Sequence, residues 1–184
     1  MAKDKLQKQQ LKKVRQRHQV AALPYRIVEG RAELCLVTTR TTKRWSLPKG
    51  WPMKGRKDFE AAAIEAKEEA GLRGKVGKRA IGTYRYFKRQ KDHFELVRVN
   101  VYPLKVEKEL KAWPEHKQRK VNWWSLAHAV VLADEPGVAG VLLQFAAKLG
   151  GKSEKKALAS LLEGRFDKGA SQQEADTHQH ANRS

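Results

Sequence analysis

The segment from Pro48 to Gly71 constrains the fold of this chain more than any other part of its sequence. Prolines and glycines recur through Pro48–Lys57, so regular structure cannot run through these residues and a loop is predicted. The following run, Phe59–Ala70, is dense in Ala and Glu, which favours a helix. Asp58 is a suitable N-cap for this helix, and Gly71 a suitable C-cap. The sequence therefore predicts an irregular loop that leads directly into a helix.

Short runs of β-branched, aromatic and apolar residues surround this segment and predict strands. The first predicted strand follows Pro24, which we expect to begin the folded domain. Strands are predicted at Tyr25–Val28, Glu33–Thr39, Trp45–Leu47, Lys78–Arg89, Glu95–Pro103 and Val121–Trp124, and further helices at Ser125–Val131, Gly137–Leu149 and Lys155–Leu162. The predicted domain therefore contains both strands and helices.

Three carboxylates share one face of the predicted helix. Glu65, Glu68 and Glu69 are three and four residues apart, and residues at these spacings are neighbours on a helix surface. Like charges so placed repel one another, and a bound divalent cation would remove that penalty. Hard oxygen ligands suit Mg²⁺ or Mn²⁺, and the carbonyl of Gly50 in the preceding loop offers a further ligand. From the spacing alone, a solvated acidic helix face remains the alternative.

Loop and helix together resemble the Nudix box, G-x5-E-x7-R-E-U-x-E-E-x-G-U, in which U is aliphatic. The residues that stand at the family's spacing are Gly50, Glu65, Glu68, Glu69, Gly71 and Leu72. The resemblance covers roughly residues 21–148 and implies a Nudix-type α/β/α sandwich around a mixed β-sheet. It also implies an enzyme, a Nudix-type phosphoanhydride hydrolase in which metal-assisted water attacks a phosphorus atom.

The resemblance assigns roles to individual residues. Glu65 and Glu69 would be the principal metal ligands, Glu68 a ligand or the base that orients water, and the Gly50 carbonyl would complete the shell around Mg²⁺ or Mn²⁺. Glu65 and Glu68 are the residues to which we assign catalysis.

Two positions depart from the Nudix box. Arg56 stands where the box has its first Glu, and Ile64 stands where it has Arg. In the family that Arg orients the glutamates by hydrogen bonding, so in this chain the support must come from elsewhere. A domain that binds polyanions without catalysis is therefore an alternative.

The substrate is predicted to be a polyanion. The Pro48-Lys-Gly loop and the segment Lys120-Val-Asn-Trp-Trp124 resemble diphosphoinositol polyphosphate and diadenosine polyphosphate phosphohydrolases. The predicted reaction is hydrolysis of a pyrophosphate linkage in a dinucleoside polyphosphate or a diphosphoinositol polyphosphate. The residues predicted to bind the substrate are Lys43, Arg44, Lys49, Trp51 and Arg56.

A formal net charge of +19 supports a polyanionic partner. Residues 1–20 hold +6 and residues 150–184 hold +1, so +12 lies in residues 21–149, where self-repulsion opposes compaction unless an anion relieves it. The basic residues that could converge on one polyanion are Arg26, Lys43, Arg44, Lys49, Lys54, Arg56, Arg85, Lys88, Arg89, Arg98 and Arg119.

Three regions are predicted: a basic arm at residues 1–20, a Nudix hydrolase domain at residues 21–149, and a polar tail at residues 150–184 that is partly helical or disordered. The arm leaves nucleic acid open as a partner, and an RNA 5′-end pyrophosphohydrolase or a non-catalytic nucleic-acid-binding Nudix domain are alternatives. No RNA-binding or DNA-binding motif accompanies the arm. No obligate protein partner is inferred.

The sequence favours a cytoplasmic location. Cys35 lies in an apolar run and is predicted to be a small core residue, because it has no second cysteine with which to form a disulfide. No apolar stretch follows the basic start, so a secretory signal is not expected. No run approaches the roughly 20 apolar residues of a membrane span, so no membrane association is predicted.

Overall fold

A single mixed sheet organises the part of the chain that the computed structural model describes, residues 17–149. Its strands are β1 (His18–Val28), β2 (Arg31–Thr38), β3 (Trp45–Ser46), β4 (Lys49–Gly50), β5 (Leu72–Val76), β6 (Gly82–Arg89), β7 (Phe94–Glu109) and β8 (Val121–Ser125). The helices within this range are α1 (Asp58–Ala70), α2 (Leu126–Leu132) and α3 (Pro136–Leu149).

The strand order β3-β2-β1-β7-β5 places β1 and β7 at the centre of the sheet. β4 pairs with β1, β6 with β7, and β8 with β2. β1 and β7 run parallel and the other pairs are antiparallel, so the sheet is mixed, as predicted. β1 is buried on both faces, which explains why its apolar residues form a continuous run rather than alternating with polar ones.

The helices cover the two faces of the sheet. On one face, Ala61, Ala62 and Ala66 of α1 pack against Val20 and Ala22 of β1. On the other face, α2 and α3 enclose the larger core, whose residues include Ala21, Leu23, Leu36, Ala129, Val138 and Leu142. The predicted α/β/α sandwich around a mixed sheet is therefore confirmed. The alanines let α1 lie close to the sheet, and this closeness brings its acidic face to the strand ends.

Several predicted boundaries were wrong. β1 begins at His18, so residues 18–20, which were assigned to the basic arm, belong to the sheet, and Pro24 lies within the strand. β5 was missed because Gly74 reads as a break. In the structure a Cβ at Gly74 would lie 1.9 Å from the Lys105 carbonyl oxygen, so the close pairing of β5 with β7 requires glycine. α1 begins at Asp58, with Lys57 rather than Asp58 as its N-cap.

β7 runs to Glu109 rather than Pro103, β6 begins at Gly82 rather than Lys78, and the short strand β4 lies within the predicted loop. The predicted helices within residues 17–149 hold to within a few residues. Gly71 caps α1 in the left-handed conformation, with φ of 70°. Ser125 caps α2 by accepting a hydrogen bond from the His128 N–H. The predicted helix Lys155–Leu162, residues 1–16 of the arm and the tail at 150–184 lie outside the described residues. No helix among residues 17–149 is long and apolar enough to cross a membrane.

Candidate active site

The acidic face of α1 faces the short strand β4. β4 is fixed to the sheet by pairing with β1, where Ala21 lies opposite Lys49. The carboxylate of Glu65 lies directly against Gly50, because a Cβ at that position would come within 1.9 Å of Glu65 Oε1. A side chain at Gly50 would therefore displace this carboxylate. The sequence motif and the sheet together place the Gly50 backbone beside the first glutamate.

Glu69 is the buried carboxylate of the three, with an exposed fraction of 6%. Its Oε2 accepts a hydrogen bond from the Lys49 backbone N–H at 3.2 Å. Its Oε1 accepts a hydrogen bond from Arg119 Nη2. Arg119 is itself almost buried, and its other groups donate to the Thr38 carbonyl oxygen at 2.9 Å and to the Glu115 carboxylate. Glu69 is therefore held by one cation and one backbone amide.

Negative charge nonetheless accumulates around Glu65. The pKa of Glu65 is raised to about 7, mainly by burial and also by the charges of Glu69, Glu68 and Glu115, while Arg119 opposes the shift. Burial also raises the pKa of Glu69, against the lowering effect of Arg119 and Lys49. Four carboxylates thus share a site in which one guanidinium provides incomplete compensation. Such a site favours a cation.

The donor chemistry fits a divalent cation. Glu65 and Glu68 supply carboxylate oxygens beside the Gly50 backbone, and Mg²⁺ and Mn²⁺ prefer such oxygens. Among residues 17–149, no three His, Cys, Asp or Glu side chains converge closely enough to form a metal cluster by themselves. Glu69 is instead engaged by Arg119 and the Lys49 amide. A cation at this place would thus compete with Arg119 for the third carboxylate.

A second ionic group lies next to the glutamates. Lys49 Nζ is 3.0 Å from Glu135 Oε1, and both side chains are largely buried. The same ammonium donates to Ser46 Oγ and lies 5.4 Å from the centre of the Tyr86 ring. Tyr86 in turn donates its hydroxyl to Gln19 Oε1 at 2.7 Å. These contacts connect β1, β3, β4 and β6 into one wall of the site.

The site opens into a cleft of about 920 Å³. The predicted residues that line it are Gly50, Glu65, Glu68, Glu69, Arg44, Lys49 and Trp51. Lys43 and Arg56 were predicted to bind substrate but do not line the cleft. Lys43 Nζ donates to the Gln118 carbonyl oxygen, and Arg56 is exposed on the turn after Met53.

Trp51 reaches the cleft, but cations already lie over its ring. The guanidinium carbon of Arg17 is 4.3 Å from the centroid of the indole, and Lys88 Nζ is 4.6 Å from it. Burial lowers the pKa of Lys88, and the neighbouring charges of Lys49 and Arg17 lower it further. A bound anion would relieve the repulsion among these cations.

Sequence reasoning missed Glu115, and it grouped Arg119 with the residues that could bind a polyanion without predicting its bond to Glu69. Both residues lie in the segment between β7 and β8, and Glu115 also donates its backbone N–H to the Glu68 carbonyl oxygen at 3.1 Å. The spacing of Glu115 and Arg119 by four residues was the one available signal, since such residues pair when the chain turns. No sequence pattern indicated that Glu135 would form the buried ion pair with Lys49.

The family model described as NUDIX domain matches residues 17–145. The chain is 30% identical over 133 residues to Nudix hydrolase 21, chloroplastic, of Arabidopsis thaliana, a match that covers 70% of this chain and 66% of that protein. It is 37% identical over 89 residues to Nudix hydrolase 16, mitochondrial, of the same organism, which covers 46% of this chain and 49% of that protein. The chain thus spans about half to two thirds of the length of these curated relatives.

Solved structures share the fold. A binary complex of the Ap4A hydrolase of C. elegans superposes with a TM-score of 0.56 at 23% identity, covering 72% of this chain and 97% of that one. The NUDIX domain of Shewanella oneidensis NrtR, complexed with ADP ribose, gives a TM-score of 0.57 at 14% identity, with coverage of 73% and 89%. At these identities the similarity establishes the architecture.

Proposed function

The chain belongs to the Nudix family, and from this premise we propose that it hydrolyses a phosphoanhydride linkage in a polyanionic substrate, with Mg²⁺ or Mn²⁺ as cofactor. One observation carries the proposal: the acidic face of α1 meets the Gly50 backbone inside a cleft that basic side chains also line. The carboxylates at the base of the cleft would hold the metal ion, and the surrounding basic side chains would bind the phosphates.

Glu65, Glu68, Glu69 and the Gly50 carbonyl would hold the metal ion. When bound, the ion acidifies water and neutralises charge on the phosphates. Glu68 is the exposed member of the three carboxylates, and it is therefore the one available to accept the proton of the attacking water. Glu65, packed against Gly50, fixes the distance between the carboxylates and β4.

Arg119 replaces the support that the Nudix-box arginine gives elsewhere in the family. Ile64 occupies the box position and has no donor, whereas Arg119 reaches Glu69 from a segment 50 residues away. Its second bond, to the Thr38 carbonyl oxygen, anchors the guanidinium to the end of β2. We assign Arg119 a positioning role: it fixes the orientation of Glu69 and limits the repulsion among the glutamates.

Phosphate groups would enter between the cations that line the cleft. Arg44 is exposed there and pairs with Asp134 at 2.7 Å, and Lys88 lies on the opposite side over Trp51. The rings of Trp51 and Tyr86 already lie against cations, so the cleft presents positive charge that fits the phosphates of either predicted substrate class. We therefore propose a dinucleoside polyphosphate or a diphosphoinositol polyphosphate as the substrate.

Phosphate release from a substrate panel tests the proposal. The panel contains Ap4A, a diphosphoinositol polyphosphate, a nucleoside triphosphate and 5′-triphosphorylated RNA, each with Mg²⁺ or Mn²⁺. Glu65→Gln and Glu69→Gln should abolish turnover. Glu60→Gln is the matched control, since Glu60 lies on the same helix but bonds to the Lys57 N–H, outside the site. Equal turnover in all three variants would refute the metal assignment.

Two alternatives are outcomes of the same panel. Turnover of triphosphorylated RNA alone would identify an RNA 5′-end pyrophosphohydrolase, an activity favoured by the extension of the cleft onto Lys88 and Arg89 of β6. Absence of turnover with metal bound would identify a binding domain, with Arg56 and Ile64 as the explanation. A cytoplasmic location remains our proposal, supported by the free, buried Cys35, whereas the plant relatives carry names of organelles.

A further inference from the structure

The hairpin formed by β6 and β7 carries an exposed surface that begins at the edge of the cleft and extends away from the acidic site. Residues that pair directly across antiparallel strands project to the same side, as do alternate residues along each strand. Six such positions, paired as Arg85 with Arg98, Phe87 with Leu96 and Arg89 with Phe94, form what we name the hairpin face. All six side chains are exposed. Cations and apolar groups therefore alternate along one side of the hairpin.

The charge of the hairpin face is not neutralised. Arg85 lies directly opposite Arg98, and like charges in this position destabilise a strand pair. None of the three guanidinium groups forms an ion pair with a carboxylate of residues 17–149. Glu95 projects to the other side of the hairpin, where it bonds to Arg17 and Gln90. The face thus repels itself unless an anion binds.

The aromatic side chains indicate which anion fits. Phe87 and Phe94 are 69% and 67% exposed, although both are large apolar residues. Rings between cations are the combination that binds single-stranded nucleic acids, because every base can stack on a ring while the phosphates contact the cations. An acidic peptide would satisfy the arginines but would leave the rings without planar partners.

We propose that the hairpin face binds single-stranded nucleic acid. Bases stack on Phe87 and Phe94, and phosphates contact Arg85, Arg89 and Arg98. Phe87, Arg89 and Phe94 also line the cleft, so a bound strand runs toward the acidic site. The basic segment 1–16 joins the domain at the same place, since Arg17 accepts a hydrogen bond from the Arg98 N–H at 3.2 Å. This binding does not depend on the hydrolysis proposed above.

Fluorescence anisotropy with a labelled oligonucleotide tests the proposal. The full chain is titrated into mixed-sequence single strands of RNA or DNA with 5′-hydroxyl ends, in EDTA, so that neither metal nor a 5′-phosphate contributes. The pair Phe87→Ala and Phe94→Ala should weaken binding at least about tenfold, while leaving its salt dependence unchanged. The pair Arg85→Gln and Arg98→Gln should lower the slope of log K against log salt by about 1.4.

A matched control comes from the other end of the same strand. Arg73 and Lys108 form a second like-charge pair between β5 and β7, and Arg73→Gln with Lys108→Gln removes the same charge. Its affinity should stay within about threefold of wild type. Replacing both phenylalanines with Trp should restore binding, and unchanged melting temperatures confirm folding.

Each of the following results would overturn the proposal. The first is wild-type affinity in the Phe pair. The second is an equal loss in the control pair. The third is a mass measurement showing that the Phe pair dissociates a self-assembled protein without changing oligonucleotide affinity. Removal of residues 1–16 should weaken binding to every oligonucleotide tested. If this truncation abolishes binding while the hairpin variants keep wild-type affinity, the binding site lies on the arm and not on the hairpin face.

Discussion

Replacing Arg119 with Met should destabilise the metal-free protein by about 3 kcal/mol. The substitution keeps the length of the buried stem but leaves Glu69, whose side chain is 8% exposed, with only the Lys49 amide as a partner. Removing one member of a buried ion pair costs about 3–5 kcal/mol. Glu69 can limit that cost by taking up a proton. Protonating a carboxyl group with the ordinary pKa of 4.5 at pH 7 costs about 3.4 kcal/mol, and the loss of stability should not exceed this cost. The lower part of the range is therefore expected.

Urea unfolding in EDTA measures this effect, and a double-mutant cycle with Glu69→Gln isolates it. In the Gln background, removing Arg119 leaves no unpaired carboxylate at residue 69, so the coupling between the two substitutions should reach about 2 kcal/mol. Lys75→Met is the control. Lys75 pairs with Glu107 at 3.3 Å on an exposed surface, and such pairs contribute about 1 kcal/mol or less.

A loss below about 1 kcal/mol for Arg119→Met, or coupling near zero, would refute the reasoning, since Glu69 would then be stable without its cation. Excess Mg²⁺ should recover part of the lost stability, because the metal supplies the missing positive charge. The same variant should retain weak, metal-dependent turnover if Arg119 positions Glu69 without contacting the substrate.

Three further predictions follow from packing. Gly50→Ala should lower turnover about 100-fold in phosphate-release assays, because its Cβ displaces the Glu65 carboxylate; near-normal activity would contradict this geometry. Gly74→Ala should destabilise the protein by about 1–3 kcal/mol in urea unfolding, because the added Cβ would clash with the Lys105 carbonyl oxygen. An unchanged urea midpoint would show that β5 does not pair closely with β7. Burial raises the pKa of the Cys35 thiol, so thiol reagents should label it only after unfolding; fast labelling of the folded protein would disprove its burial.

Local spacing determined the part of the site that lies on one continuous segment. A loop broken by Pro and Gly, followed by a helix that ends at Gly71, follows from backbone preferences within a few residues. The shared face of Glu65, Glu68 and Glu69 follows from helical geometry alone. The sequence was therefore sufficient for the family resemblance, the sandwich fold and the acidic face of α1.

Contacts between distant segments were decided only by the tertiary structure. Arg119 was one of many basic residues in the sequence, and only the pairing of β8 with β2 brings it to Glu69, 50 residues away. Lys43 precedes the motif and Arg56 lies within it, but neither residue lines the cleft. The register of β6 and β7 likewise decides that Arg85 and Arg98 lie opposite one another. Strand register depends on long-range hydrogen bonds and packing, so residue spacing alone does not specify which distant charges meet.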